Sequence, residues 1–107
     1  MFRIDCFSPD ELSLTGDLDM STYERLQVAL GAFTGPIRLD LSNLRFMDST
    51  GLHVLAKRIS TGPVTLVNPQ ENVLLLIDLC GVRSVPGLTI ESGSGKGRNR
   101  SAARLAS

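Results

Sequence analysis

A chain of 107 residues with 42% apolar side chains has room for one domain around a single core and not for two. Eleven basic and eleven acidic residues cancel to a formal charge of zero, which argues against an obligatory nucleic-acid partner, and no apolar run approaches the roughly 18–20 residues of a membrane span. The cancellation is uneven, since residues 1–91 hold all eleven acids against seven bases and residues 92–107 hold Lys96, Arg98, Arg100 and Arg104 with no acid.

The opening residues, Met1-Phe2-Arg3-Ile4-Asp5, have no charged stretch leading into an apolar one, so no secretory leader is expected. Residues 2–7 (FRIDCF) and 11–16 (ELSLTG) alternate in character around Ser8-Pro9-Asp10, which predicts a β-hairpin. Ser21 and Glu24 have the spacing of a capping box. Tyr23, Leu26, Leu30 and Phe33 then share one helical face, and Gly35-Pro36 ends the helix. Residues 36–42 (PIRLDLS) return to strand alternation.

A second helix is expected after Asp48, with Leu52, Leu55, Ala56 and Ile59 as its buried stripe and His53, Val54, Lys57 and Ser60 off it. Gly62-Pro63 breaks it, and residues 64–67 form a short strand. Asn68-Pro69-Gln70-Glu71 has the pattern of a helix start, with Asn68 as cap and Pro69 first. That third helix runs through VLLLIDLC to Gly81, and residues 88–90 make a last strand.

The order β-β-α-β-α-β-α-β predicts an α/β domain over residues 1–91. Its sheet is mixed and mostly parallel, with four to five strands and about three helices. Residues 92–107 change to Gly, Ser and Arg without periodicity and read as a flexible basic tail. Cys6 and Cys80 lie in apolar segments and are expected as buried free thiols of a reducing compartment. The expected location is therefore cytoplasmic.

Several chemistries can be set aside. His53 is the only histidine, so no metal-ligand pattern exists, and no cofactor motif is present. Gly93-Ser94-Gly95-Lys96-Gly97 lacks the upstream glycine, the hydroxyl after lysine and the following helix of a phosphate loop. Ser49 and His53, four residues apart on a helix, lack a group to orient the histidine and an oxyanion hole. The chain is not expected to be an enzyme.

The turn RFMDSTGL (residues 45–52) holds the strongest candidate site. Asp48 is a favourable N-cap that can accept from the amide of Thr50 or Gly51. Gly51 costs the helix about 0.5–1 kcal/mol relative to alanine, and a small residue there would admit another molecule close to the backbone. Ser49 and Thr50 lie where free amides and the helix dipole favour an anion. A phosphate on Ser49 would bring about −1.5 to −2 charges beside Asp48 without breaking the helix. A simple cap explains most of the same residues.

Leu39-Asp40-Leu41-Ser42 followed by Phe46-Met47-Asp48-Ser49-Thr50-Gly51-Leu52 resembles the STAS domain of bacterial anti-sigma factor antagonists. Leu14-Thr15-Gly16-Asp17-Leu18-Asp19 is similar to that family's acidic motif after its second strand. Leu66-Val67-Asn68-Pro69 and Leu79-Cys80-Gly81-Val82 are similar to the segments flanking its third helix. The resemblance spans residues 2–91. It implies a protein that, unphosphorylated, binds an anti-sigma factor that is also a serine kinase, so that a sigma factor is released. Phosphorylation ends the binding and a phosphatase restores it.

By motif the acceptor is Ser49. Asp19 and Asp48 are implied to lie near it, Thr50 is a secondary candidate, and Gly51, His53 and Val54 are expected on the docking surface. No membrane is implied, and a monomer is expected rather than a homodimer. Two departures stand out: a Gly/Ser/Arg tail replaces the usual final helix, and His53 stands where the family often has a small residue. The alternative is a STAS scaffold or ligand-sensing module without phosphorylation.

Overall fold

The two alternating runs at the start of the chain form β1 (Phe2–Ser8) and β2 (Glu11–Leu18), paired antiparallel across a turn. In the computed structural model, which describes residues 1–92, the remaining elements follow in the expected order. They are α1 (Tyr23–Leu30), β3 (Ile37–Met47), α2 (Ser49–Ile59), β4 (Val64–Val67), α3 (Glu71–Leu79), a 3₁₀ turn (Val82–Ser84) and β5 (Leu88–Glu91). Apart from Ser92, the tail expected over 92–107 lies outside the described residues.

The sheet runs β1-β2-β3-β4-β5, and every pair after the first is parallel. Parallel neighbours need crossovers, and the three helices supply them. Leu14, Leu39, Leu41 and Leu66 of the sheet are buried against Leu55 of α2 and Ile77 of α3 in one core. Among the described residues no helix is long and apolar enough to cross a membrane.

Strand β3 is longer than expected because alternation stops after Leu41 while the strand does not. Ser13 and Thr15 of β2 pair with Asp40 and Asn43, and Gly16 and Asp17 pair with Leu44 and Phe46, so β3 carries one extra residue at each of two bulges. A bulge re-aims the side chains beyond it. Leu41, Leu44 and Met47 are thereby all buried at spacings of three, a pattern that does not look like a strand in sequence.

The predicted helix starts need correction. Ser21 does not cap α1; its amide and hydroxyl donate to Asp19 Oδ1 at 2.9 and 2.6 Å. Thr22 precedes the helix without a capping hydrogen bond, its hydroxyl donating instead to the Asp17 carbonyl at 2.8 Å. The helix ends at Leu30, before Phe33, which packs half-buried against the core. Asn68 is not the residue at the N-cap position of α3, which begins at Glu71; its backbone amide continues the β4–β5 ladder to the Glu91 carbonyl at 2.7 Å. Its backbone takes the left-handed φ of 52° that asparagine tolerates, and Gln70 stands at the helix entrance.

The thiols also differ from expectation. Cys6 and Cys80 are free, as expected, but both are exposed. Cys6 lies on the edge strand β1, where its Sγ donates to the Ser8 carbonyl at 3.2 Å, and Cys80 follows the last turn of α3.

Candidate functional site

The elements meet at the C-terminal ends of β2 and β3, where α2 begins. Met47 is buried and anchors the end of β3. Asp48 stays extended (φ −103°, ψ −177°) and accepts from the Gly51 amide through Oδ1 at 3.0 Å. Its own amide donates to the Leu18 carbonyl at 3.1 Å, and its carbonyl accepts from Leu52 at 3.0 Å. Asp48 thus joins β2 to the first turn of α2 while satisfying one of that turn's free amides.

The expected cap is in place, but two residues assigned to a docking surface are not on the surface. Gly51 is buried against Leu18: a β-carbon there would stand 2.6 Å from Leu18 Cγ and 2.9 Å from the Leu18 carbonyl oxygen. The close approach that glycine allows is made by the chain itself. Val54 is only 6% exposed, because α1 packs along the flank of α2 and widens its buried face beyond the stripe that meets the sheet.

Ser49 and His53 are exposed, and Asp48 and Thr50 are half-buried. Of the hydroxyls in the turn, that of Ser49 is the better presented. Asp19 directly follows Leu18, the residue joined to Asp48 and Gly51, so the structure brings Asp19 to the start of α2. Hydrogen bonds from the Ser21 hydroxyl, then from its amide, hold the Asp19 carboxyl below the usual carboxylate range. The Arg45 guanidinium holds Asp17 low in the same way, donating from Nε to Oδ1 at 3.1 Å and from Nη2 to Oδ2 at 3.0 Å. The rim is therefore firmly anionic at Asp19 and neutralised at Asp17.

Two apolar side chains were not singled out from sequence. Met20, one residue past Asp19, is 73% exposed, and Phe46, two residues before Asp48, is 46% exposed. Phe46 gives no signal in sequence, because the strand that places it beside the buried Met47 extends past the expected end at residue 42. Among the described residues no three His, Cys, Asp or Glu side chains gather as a metal set.

A family model described as the STAS domain matches residues 10–94. Among solved structures, a protein of Thermotoga maritima assigned as an anti-sigma factor antagonist is 20% identical over 88% of each chain, with a TM-score of 0.69. The anti-sigma factor antagonist SpoIIAA in its unphosphorylated form is 19% identical over 89% of this chain and 91% of its own, with a TM-score of 0.62. An anti-sigma factor antagonist from Mycobacterium paratuberculosis is 25% identical over 83% of this chain and 84% of its own, with a TM-score of 0.68. The first two similarities, below 25% identity, establish the shared fold. No curated protein sequence matches the chain.

Proposed function

The chain belongs to the STAS domain family, and from that premise we propose that it is a cytoplasmic, monomeric anti-sigma factor antagonist switched by phosphorylation of Ser49. Unphosphorylated, it binds an anti-sigma factor that is also a serine kinase, and a sigma factor is released. Phosphoryl transfer from ATP to Ser49 ends the binding, and a phosphatase restores it. The neighbours described as anti-sigma factor antagonists support the role.

The observation that carries the site assignment is the exposure of Ser49 on a turn otherwise fixed from within. Asp48 caps the helix and Gly51 and Leu52 are buried, so a phosphate can be added without disturbing any of these contacts. It would lie at the amide end of α2, which tolerates an anion, and near the ionised Asp19. A partner surface that matched the neutral hydroxyl would then face about two further negative charges. Each 1.4 kcal/mol of repulsion and desolvation lowers affinity about tenfold, so a few such units turn a populated complex into a minor one.

The test is intact mass after incubation with candidate kinase anti-sigma factors and ATP, with Ser49→Ala alongside. One added phosphate, absent from the variant, is expected. Equal phosphorylation of wild type and Ser49→Ala would overturn the acceptor. No phosphorylation by any kinase that binds the protein would overturn the switch and leave a scaffold or ligand-sensing domain.

A further inference from the structure

Helix α1 packs against α2, and between the C-terminal parts of the two lies a groove of about 240 Å³. Leu30 and Phe33 from the α1 side and Val54 from α2 give it an apolar wall. Lys57 and Arg58, in the last turn of α2, give it two cations, and no acidic residue lines it. Two positive charges outweigh the partial negative charge of about half a unit at each nearby helix C-terminus.

Arg58 is the unusual member. It is 6% exposed, yet none of the ion pairs among the described residues includes it. Its guanidinium donates from Nη1 to the Gly62 carbonyl at 3.0 Å and from Nη2 to the Gly35 carbonyl. Nε is buried without an acceptor. A guanidinium keeps its charge under physiological conditions, and a buried charge is costly unless countered. Two neutral carbonyls fix its position without supplying the opposite charge.

The groove is also built before anything enters it. A β-carbon at Gly62 would stand 2.9 Å from the Thr34 carbonyl oxygen, so the turn after α2 presses directly on the loop after α1. Arg58 ties the same two segments together. A preformed concave site with an apolar wall and a few convergent polar groups is the usual form of a small-molecule site.

We propose that this groove binds a small organic anion with an apolar body, of the medium-chain carboxylate class. The carboxylate is set against Arg58 and Lys57, and the chain lies over Leu30, Phe33 and Val54. A guanidinium matches the planar carboxylate, and Nη1 and Nη2 each keep one hydrogen beyond those given to Gly62 and Gly35. Inorganic phosphate would satisfy the charge and leave the apolar wall wet, and an uncharged alcohol would do the reverse. The site stands apart from the Ser49 reading: α2 rises about 1.5 Å per residue, which puts Arg58 about 13 Å along the helix from Ser49.

The test is a titration of the full chain, labelled with ¹⁵N, with octanoate, octanol, acetate and inorganic phosphate. Octanoate should give saturable amide shifts confined to residues 27–34 and 54–62, with affinity about tenfold or more above that of the other three. Lys57→Glu, an exposed rim substitution that should leave the fold intact, is expected to weaken octanoate by about tenfold and leave octanol unchanged. The proposal is overturned if octanoate gives no saturable shifts, if the shifts map elsewhere, if octanol or phosphate binds as tightly, or if Lys57→Glu binds octanoate like wild type.

Discussion

Gly51 and Leu18 form the contact that seats α2 on the end of β2: the site of a glycine β-carbon would be 2.6 Å from Leu18 Cγ. The Leu18 carbonyl that bounds this contact is also the acceptor of the Asp48 amide. One residue of β2 therefore fixes both the cap and the first turn of the helix that presents Ser49.

Gly51→Ala should destabilise the domain even though alanine is the better helix former. The gain of about 0.5–1 kcal/mol in helix propensity is exceeded by overpacking against backbone as well as side chain, which costs about 1–3 kcal/mol. Urea denaturation should show a lower midpoint with an unchanged slope. A midpoint above that of wild type would mean that Leu18 yields without cost.

Asp48→Ala removes the acceptor for the Gly51 amide and should cost about 1 kcal/mol, whereas Asp48→Asn keeps an oxygen there and should cost little. The comparison separates cap from charge. If the kinase reads the carboxylate, phosphorylation of Ser49 will fall in both variants although only Asp48→Ala loses stability. Equal stability in all three proteins would remove the cap from the account.

The depressed Asp19 carboxyl makes stability depend on pH in a predictable direction. Its folded pKa lies below its ordinary value of 3.8, so between the two the unfolded chain binds more protons and acidification favours unfolding. The contribution is full above the ordinary value and is lost as pH falls through the folded one. Asp19→Asn should flatten the decline in thermal midpoint below about pH 5, where carboxylates of ordinary pKa begin to protonate. A variant as acid-sensitive as wild type would place the dependence at Asp17 or Glu91, which are lowered by Arg45 and Arg38.

Because Cys6 and Cys80 are both exposed, a thiol reagent such as dithionitrobenzoate should titrate two thiols per chain in the native protein. Adding denaturant should not raise the count. A native count of zero or one would show that β1 or the end of α3 is covered in solution.

The element order was legible because Gly, Pro and Asp mark nearly every turn and the helices lie between short strands. Asp48 and Ser49 were legible for the same local reason: a cap and its first turn occupy neighbouring residues. What sequence concealed was set by contacts distant along the chain. Val54 appears surplus to its helix until α1 is laid beside it, and Gly51 appears open until Leu18 is packed over it. The far half of β3 is hidden by bulges that only its pairing with β2 defines. Asn68 has the residue type of a cap, but its backbone is left-handed and the helix starts only at Glu71, with Gln70 at the entrance.

The pairing of Phe2 with Gly16 has a practical consequence for anyone handling this molecule. The Met1 carbonyl accepts from the Asp17 amide at 2.9 Å, and Asp17 is level with Phe46. Any residues joined ahead of Met1 thus leave from the same rim as Ser49, about two strand spacings, or roughly 10 Å, away. Glu91 is in line with Asp40 through Val67, about 20 Å back along β3 from that rim at the usual rise per residue. A purification handle or sensor-chip tether on the amino end would therefore crowd the face to be measured, whereas the last strand ends well away from it.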